Sequence, residues 1–116
     1  MPSMWIMVAG PYATGAPTPE ARAANLRVLN AAALAVLRAG HMPLIGVNLA
    51  LPVIAAAGDT PAAYDEIMMP LSLALADRCD AILRIGGPSH GADAEAERFH
   101  ATGRPVFTAL DQIPRP

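Results

Sequence analysis

The sequence predicts an α/β domain: a parallel sheet of four to five strands flanked by helices, formed by all 116 residues. Trp5 to Ala9 is a continuous apolar run ended by Gly10-Pro11, the pattern of a strand buried on both faces. Thr18-Pro19 and Thr60-Pro61 each combine a capping hydroxyl with a proline at the first helical position, so each opens a helix. Strand-like and helical segments alternate along the chain, which calls for right-handed crossovers and a parallel sheet. A chain of this length fills one core, so residues 1–116 read as a single domain.

The first helix runs from the Thr18 cap to the stop at Gly40. Val28, Leu29, Ala32, Ala33, Val36 and Leu37 form its apolar stripe, with Arg27 and Arg38 off it. Met42 to Val47 resembles a second short strand, restricted near its start by Pro43. Asn48 to Ala57 reads as a short, lid-like helix broken near Pro52. The helix opened by Thr60-Pro61 passes Tyr64 and Ile67, and Pro70 either kinks it or starts a second helix ending near Arg78. Ala81 to Ile85 is the third strand and Gly86-Gly87-Pro88 its loop. Gly91 to Thr102 forms a further helix closed by Gly103, and Val106-Phe107 is a short last strand. The architecture is flavodoxin/Rossmann-like, and ligands of such sheets gather at the carboxyl ends of the strands. Those ends are Gly10-Pro11-Tyr12, Val47-Asn48 and Gly86 to Gly91.

Composition narrows the function. A net charge of -2 without a Lys/Arg cluster, and only 4% aromatic residues, argue against an extended nucleic-acid surface. With 53% hydrophobic and 16% charged residues, some apolar surface is expected to meet another copy of the chain, giving a homo-oligomer. The lone Cys79 excludes an intrachain disulfide and a Cys-rich zinc site, in keeping with a reducing, cytoplasmic setting. The first apolar run is too short for a signal peptide or a span, and charged residues or Gly58-Asp59 interrupt the Ala-rich stretches, so no membrane segment is expected.

Ser89-His90-Gly91 lies where the third strand turns into its helix. Backbone N–H groups and the positive end of the helix dipole would face the crevice there, an arrangement suited to an anion. An ordinary Gly-rich connection with a serine cap would look the same. At roughly 100° per residue, Glu95 flanks the apolar stripe of Ala92, Ala96 and Phe99, whereas Asp93 and Glu97 project to solvent. Glu95 is therefore the acid closest to the crevice, as nucleophile, base or simply a residue favoured near a helix start. Tyr12 could hydrogen-bond a carboxylate, wall a ring or merely pack. His41 fits a helix C-terminal cap, and His90 is either an acid-base group or a plain loop residue. His41, His90 and His100 share no metal-ligand spacing, so no metal is expected. The loop matches neither a P-loop nor a dinucleotide fingerprint, and no cofactor is expected.

These residues resemble the nucleoside 2-deoxyribosyltransferase-like superfamily, which includes deoxynucleoside monophosphate N-glycosidases. The likeness covers most of the chain and is greatest to an uncharacterised bacterial branch. It rests on Val8-Ala9-Gly10-Pro11-Tyr12, on Asn25 through Gly40-His41, and on Cys79-Asp80-Ala81-Ile82. Its most specific part is Ser89-x-Gly91-Ala92-x-x-Glu95 followed by Gly103-x-Pro105-Val106. The resemblance implies Glu95 as nucleophile at the anomeric carbon of a (deoxy)ribosyl group, with Tyr12 orienting it. It implies Ser89 and Gly91 as the sugar or 5′-phosphate cradle; Gly10, Pro11 and His90, at the same strand ends, complete the expected binding set for a small nucleoside or nucleotide. It also implies a site completed by a neighbouring subunit. The family's leaving-group acid on the helix before the third strand aligns with Ser72, while Asp65 and Asp77 lie some residues away. Cleavage or transfer at an N-glycosidic bond is thus the expected function. The alternatives are a non-catalytic nucleotide-binding or sensing module on the same fold and, third, a structural oligomer.

Overall fold

In the computed structural model, which describes residues 2–116, the sheet has four parallel strands in the order β2-β1-β3-β4. These are β1 (Trp5–Ala9), β2 (Met42–Leu44), β3 (Ala81–Arg84) and β4 (Val106–Phe107). The helices are α1 (Pro19–Arg38), α2 (Gly46–Ala56), α3 (Pro61–Ala76) and α4 (His90–Ala101), and a single 3-10 turn, Leu110–Gln112, follows β4. The fold is α/β and flavodoxin/Rossmann-like, with strand number at the lower end of the expectation.

The strand-wise alternation of β1 and β3 divides the interior in two. Ile6 and Val8, with Ala81 and Leu83, face Leu29, Ala32 and Val36 of α1. Met7 and Ala9, with Ile82, face Ala92, Ala96 and Phe99 of α4. Both faces of the sheet are therefore covered, which is why β1 is apolar without interruption. A third cluster, Ala50, Ile54, Ala63 and Met68, joins α2 to α3.

Thr18 and Thr60 cap their helices as expected, their hydroxyls accepting from Ala21 N–H at 3.2 Å and Ala63 N–H at 3.1 Å. Other boundaries differ from the sequence reading. The second strand stops at Leu44, and Gly46 and Val47 already belong to α2. No side chain caps that helix; its start is set by packing, because a Cβ on Gly46 would collide with Ser72 Oγ. Neither Pro52 nor Pro70 breaks its helix. Both prolines lie on exposed faces, open to solvent, and the α2–α3 cluster holds the helices together.

His41 supplies the expected cap and more. Its N–H donates to Val36 O at 3.2 Å while that of Gly40, at φ +99°, donates to Leu37 O at 3.0 Å, a reverse turn that closes α1. The His41 ring is 2% exposed. Nδ1 accepts from Met4 N–H at 3.0 Å, which leaves Nε2 as the donor to Pro114 O at 2.6 Å. One neutral imidazole thus joins the entry to β1, the end of α1 and the segment after the 3-10 turn, where Ile113 enters the core.

Several large apolar side chains remain exposed: Val28, Leu34 and Leu37 on α1, Leu49 and Val53 on α2, and Trp5, Met42 and Leu110 elsewhere. Among the described residues no helix is long and apolar enough to cross a membrane.

Replacing His41 by Phe should lower stability by about 2–4 kcal/mol, since two part-buried backbone groups lose their partners around a buried ring. Urea unfolding measures the loss, and faster hydrogen exchange at the Met4 amide locates it.

Candidate functional site

Because β2 and β3 lie on opposite sides of β1, the chain leaving β1 and the chain leaving β3 part to different sides of the sheet and open a crevice between them. At its base the two segments nearly touch. A Cβ on Gly10 would stand 2.7 Å from Ile85 O, and one on Gly86 would stand 2.8 Å from Pro11 Cδ. Gly86 also adopts φ +80°, so glycine is required there twice over. Gly10 and Pro11 accordingly shape the base of the crevice and do not line the cavity above it.

Above that contact lies a cavity of about 180 Å³ lined by Tyr12, Ser89, Gly91 and Glu95, together with Tyr64, Met68, Met69 and Ser72 of α3. Tyr12 is held by Asn25, whose side-chain amide donates to the Tyr12 carbonyl at 2.8 Å. Ser89 caps α4, its buried hydroxyl accepting from Ala92 N–H at 3.2 Å. That leaves the first-turn amides of His90 and Gly91 without helical partners. Gly91 lines the cavity, and a Cβ there would stand 3.2 Å from Met69 Sδ, tight against the wall that α3 provides. His90 begins α4 as an exposed residue and is not part of the cavity wall.

Among the described residues Glu95 is the only acid lining this cavity. Burial raises its pKa from 4.5 to about 7, against a smaller opposing pull from the Arg84 cation. Arg84 is occupied elsewhere: it donates to Ile85 O at 2.6 Å and Gly87 O at 2.8 Å and pairs with Asp93 at 3.0 Å. It fixes the loop before Ser89 and leaves Glu95 without a direct ion pair. Among the described residues no hydrogen bond joins Glu95 to Tyr12, although both face the same space. The pocket therefore holds a carboxyl group able to exchange its proton near neutrality, beside a helix N-terminus and two phenols.

A second, larger cavity of about 310 Å³ shares Ala13 and Tyr64 with the first and is lined further by Arg22, Asp59, Thr60, Pro61 and Asp65. Tyr64 stands where the two meet. Its pKa is raised from 10.0, first by burial and then by Tyr12 and Asp65, with Arg22 opposing. Of the two acids flanking Ser72 in the sequence, Asp65 thus faces the cleft, whereas Asp77 pairs with Arg98 at 2.9 Å on the surface.

Asn25, Arg84, Tyr64 and Arg22 were not legible as site residues from their own neighbourhoods, apart from Asn25 as part of the family likeness. Each acts through a long-range contact. The buried Cys79 thiol is pushed up to about 11 by burial and Asp80, which makes it a poor nucleophile. Among the described residues no group of three or more His, Cys, Asp or Glu side chains is placed to hold a metal ion.

No family model matches the chain, and no curated protein matches it.

Folding raises the Glu95 pKa, so its protonated form contributes stability that is complete below 4.5 and lost as pH rises through about 7. Glu95→Gln should therefore melt higher than the wild type at about pH 8, by roughly 2–5 °C. Scanning calorimetry should show that advantage shrinking with falling pH and vanishing below 4.5.

Proposed function

We propose that the chain cleaves, or transfers at, the N-glycosidic bond of a (deoxy)nucleoside or nucleoside monophosphate, with Glu95 as the nucleophile. The observation that carries this reading is the desolvated Glu95 carboxyl in a cavity whose rim includes Ser89, Gly91 and Tyr12. A carboxylate stripped of water reacts more readily with a cationic sugar centre, and the amides at the start of α4 suit a phosphate or sugar oxygen. Glu95 attacks the anomeric carbon, forming a C–O bond as the C–N bond breaks. The electron pair of that bond leaves with the base, which takes a proton from solvent. Water, or a second base in a transferase, then attacks the same carbon and frees the carboxylate, while the attacking group gives up its proton to solvent.

The likeness to the nucleoside 2-deoxyribosyltransferase-like superfamily supports the same roles for Glu95, Tyr12, Ser89 and Gly91. The reading includes a cytoplasmic homo-oligomer, for which the exposed apolar residues of α1 and α2 supply a surface. A second reading, a non-catalytic nucleotide sensor, is favoured by one observation. Ser72 lines the Glu95 cavity where the family's acid would stand.

Glu95→Ala should abolish base release from a panel of nucleosides and monophosphates, by at least about a thousandfold, with the fold intact by circular dichroism. Where the wild type turns over, the acidic limb of its kcat/KM profile should fall at about 7, since the nucleophile must be ionised. A wild type that is thermally stabilised by nucleotides yet releases no base would instead establish the sensor.

A further inference from the structure

We infer that Arg104 is a positioning residue for Glu95: by tying the C-terminal ends of α3 and α4 together, it holds the two walls of the Glu95 cavity close enough to keep water from the carboxyl group. This rests on the geometry of the cavity and does not require that the chain turn a substrate over. Arg104 is the unspecified residue of Gly103-x-Pro105, to which the family likeness gives no role.

The guanidinium is committed on both sides. Nη1 donates to Ala76 O at 2.6 Å and to Cys79 O at 2.7 Å, at and just beyond the end of α3. Nη2 donates to Arg98 O at 3.3 Å in the last turn of α4, and Nε donates to Thr102 Oγ1 at 2.7 Å. The Thr102 hydroxyl donates in turn to Arg98 O at 2.8 Å. The cation also lies over the buried Phe99 ring, 4.1 Å from its centroid. One side chain thus serves free carbonyls of two helix ends, which neither helix can satisfy for itself. A planar fork reaches both ends at once, whereas an ammonium group is a single point of attachment. The other link between these ends, Arg98 with Asp77 at 2.9 Å, is solvent-exposed on both partners and contributes less.

These two helices are the walls of the cavity. Glu95 stands one turn before Arg98 and Phe99 on α4, and Met69 stands two turns before Ala76 on α3, about 10 Å along the axis. Ala63 and Met68 belong to the α2–α3 cluster, whereas Ala76 packs in one cluster with Ala92, Ala96 and Phe99 of α4. The spacing of α3 from α4 is therefore fixed at the Arg104 end and carried from there to the cavity, where Met69 Sδ lies tight against Gly91. The charged group acting on Glu95 is Arg84 of β3, itself paired with Asp93 of α4, and the phenols of Tyr12 and Tyr64 line the same space. Burial and Arg84 account for the raised Glu95 pKa, so Arg104 acts on Glu95 through position and not through its charge. The two modes differ in sign. Removing a cation that acted by charge would raise the Glu95 pKa further, whereas opening the cleft to water lowers it toward 4.5.

The experiment is an NMR titration of the Glu95 side-chain carboxyl carbon in the wild type, Arg104→Lys, Arg104→Gln and His41→Phe, the last destabilised away from α3 and α4. The midpoint, about 7 in the wild type, should fall by about one pH unit or more in both Arg104 variants, since neither carries the fork. It should stay in place in His41→Phe. A wild-type midpoint at 4.5, or a midpoint that stays or rises in the Arg104 variants, overturns the inference. An equal fall in His41→Phe also overturns it, by marking a general loss of stability. If neither Arg104 variant folds, Thr102→Val decides, because it removes the hydroxyl that accepts from Arg104 Nε. A lowered midpoint there upholds the inference, and an unmoved one overturns it. Base release is not read in this experiment, so the glycosidic reading stands or falls separately on Glu95→Ala.

Discussion

The contact between the chain leaving β1 and the chain leaving β3 is the constraint on which the rest of the site depends. Gly10 lies against the Ile85 carbonyl and Gly86 against the Pro11 ring, each segment leaving no space for a side-chain carbon on the other. The Ile85 N–H donates to Ala9 O at 2.9 Å, so the pairing of β1 with β3 persists to the point where they part. From there Asn25 of α1 holds the Tyr12 carbonyl and Arg84 holds the carbonyls of Ile85 and Gly87. Two loops with little secondary structure are thereby fixed by the helices and strands beside them. Tyr12 and Ser89 face one cavity because their backbones have almost no latitude.

That rigidity sets the electrostatics of Glu95. α4 must start where the β3 loop delivers it, and α3 closes over it with Met68, Met69 and Ser72. A carboxyl group in the resulting cleft loses water, and the one nearby cation is committed to Asp93 and to backbone oxygens. A solvated Glu95 or a freed Arg84 would give a more stable protein with an ordinary carboxylate. The fold instead tolerates a group whose ionisation costs it stability, a common mark of a functional position.

Much of this was legible in the sequence, for physical reasons that differ by element. Both faces of β1 meet helices, so its apolar run was unmistakable, and Thr18-Pro19 and Thr60-Pro61 declared their helices through local cap chemistry. Helical phase separated Glu95 from Asp93 and Glu97, because two residues turn a helix by about 200°, so Glu95 points away from the face that Asp93 and Glu97 share. The start of α2 was hidden, since nothing near Gly46 in sequence announces that Ser72 lies against it. Pro52 misled for a related reason, and of the two alternatives at Pro70 the second helix did not form: a proline's cost is local, and the α2–α3 packing that offsets it is not. His41 showed its cap through Gly40 but not its ring's partners, Met4 and Pro114, which are distant along the chain. Arg22 and Asp65 belong to helices that only the folded chain brings to one cavity.

The two edges of the sheet carry a consequence of a different kind. One is β2, three residues long with Pro43 in its middle, and the other is β4, two residues long. A strand without a full row of N–H donors is a poor template for further pairing. For a chain with a mean hydropathy of +0.34, this matters during synthesis and crowding as much as in the native state. Edge-to-edge growth, the usual route by which apolar β-rich chains form fibrils, finds few backbone groups here on which to propagate.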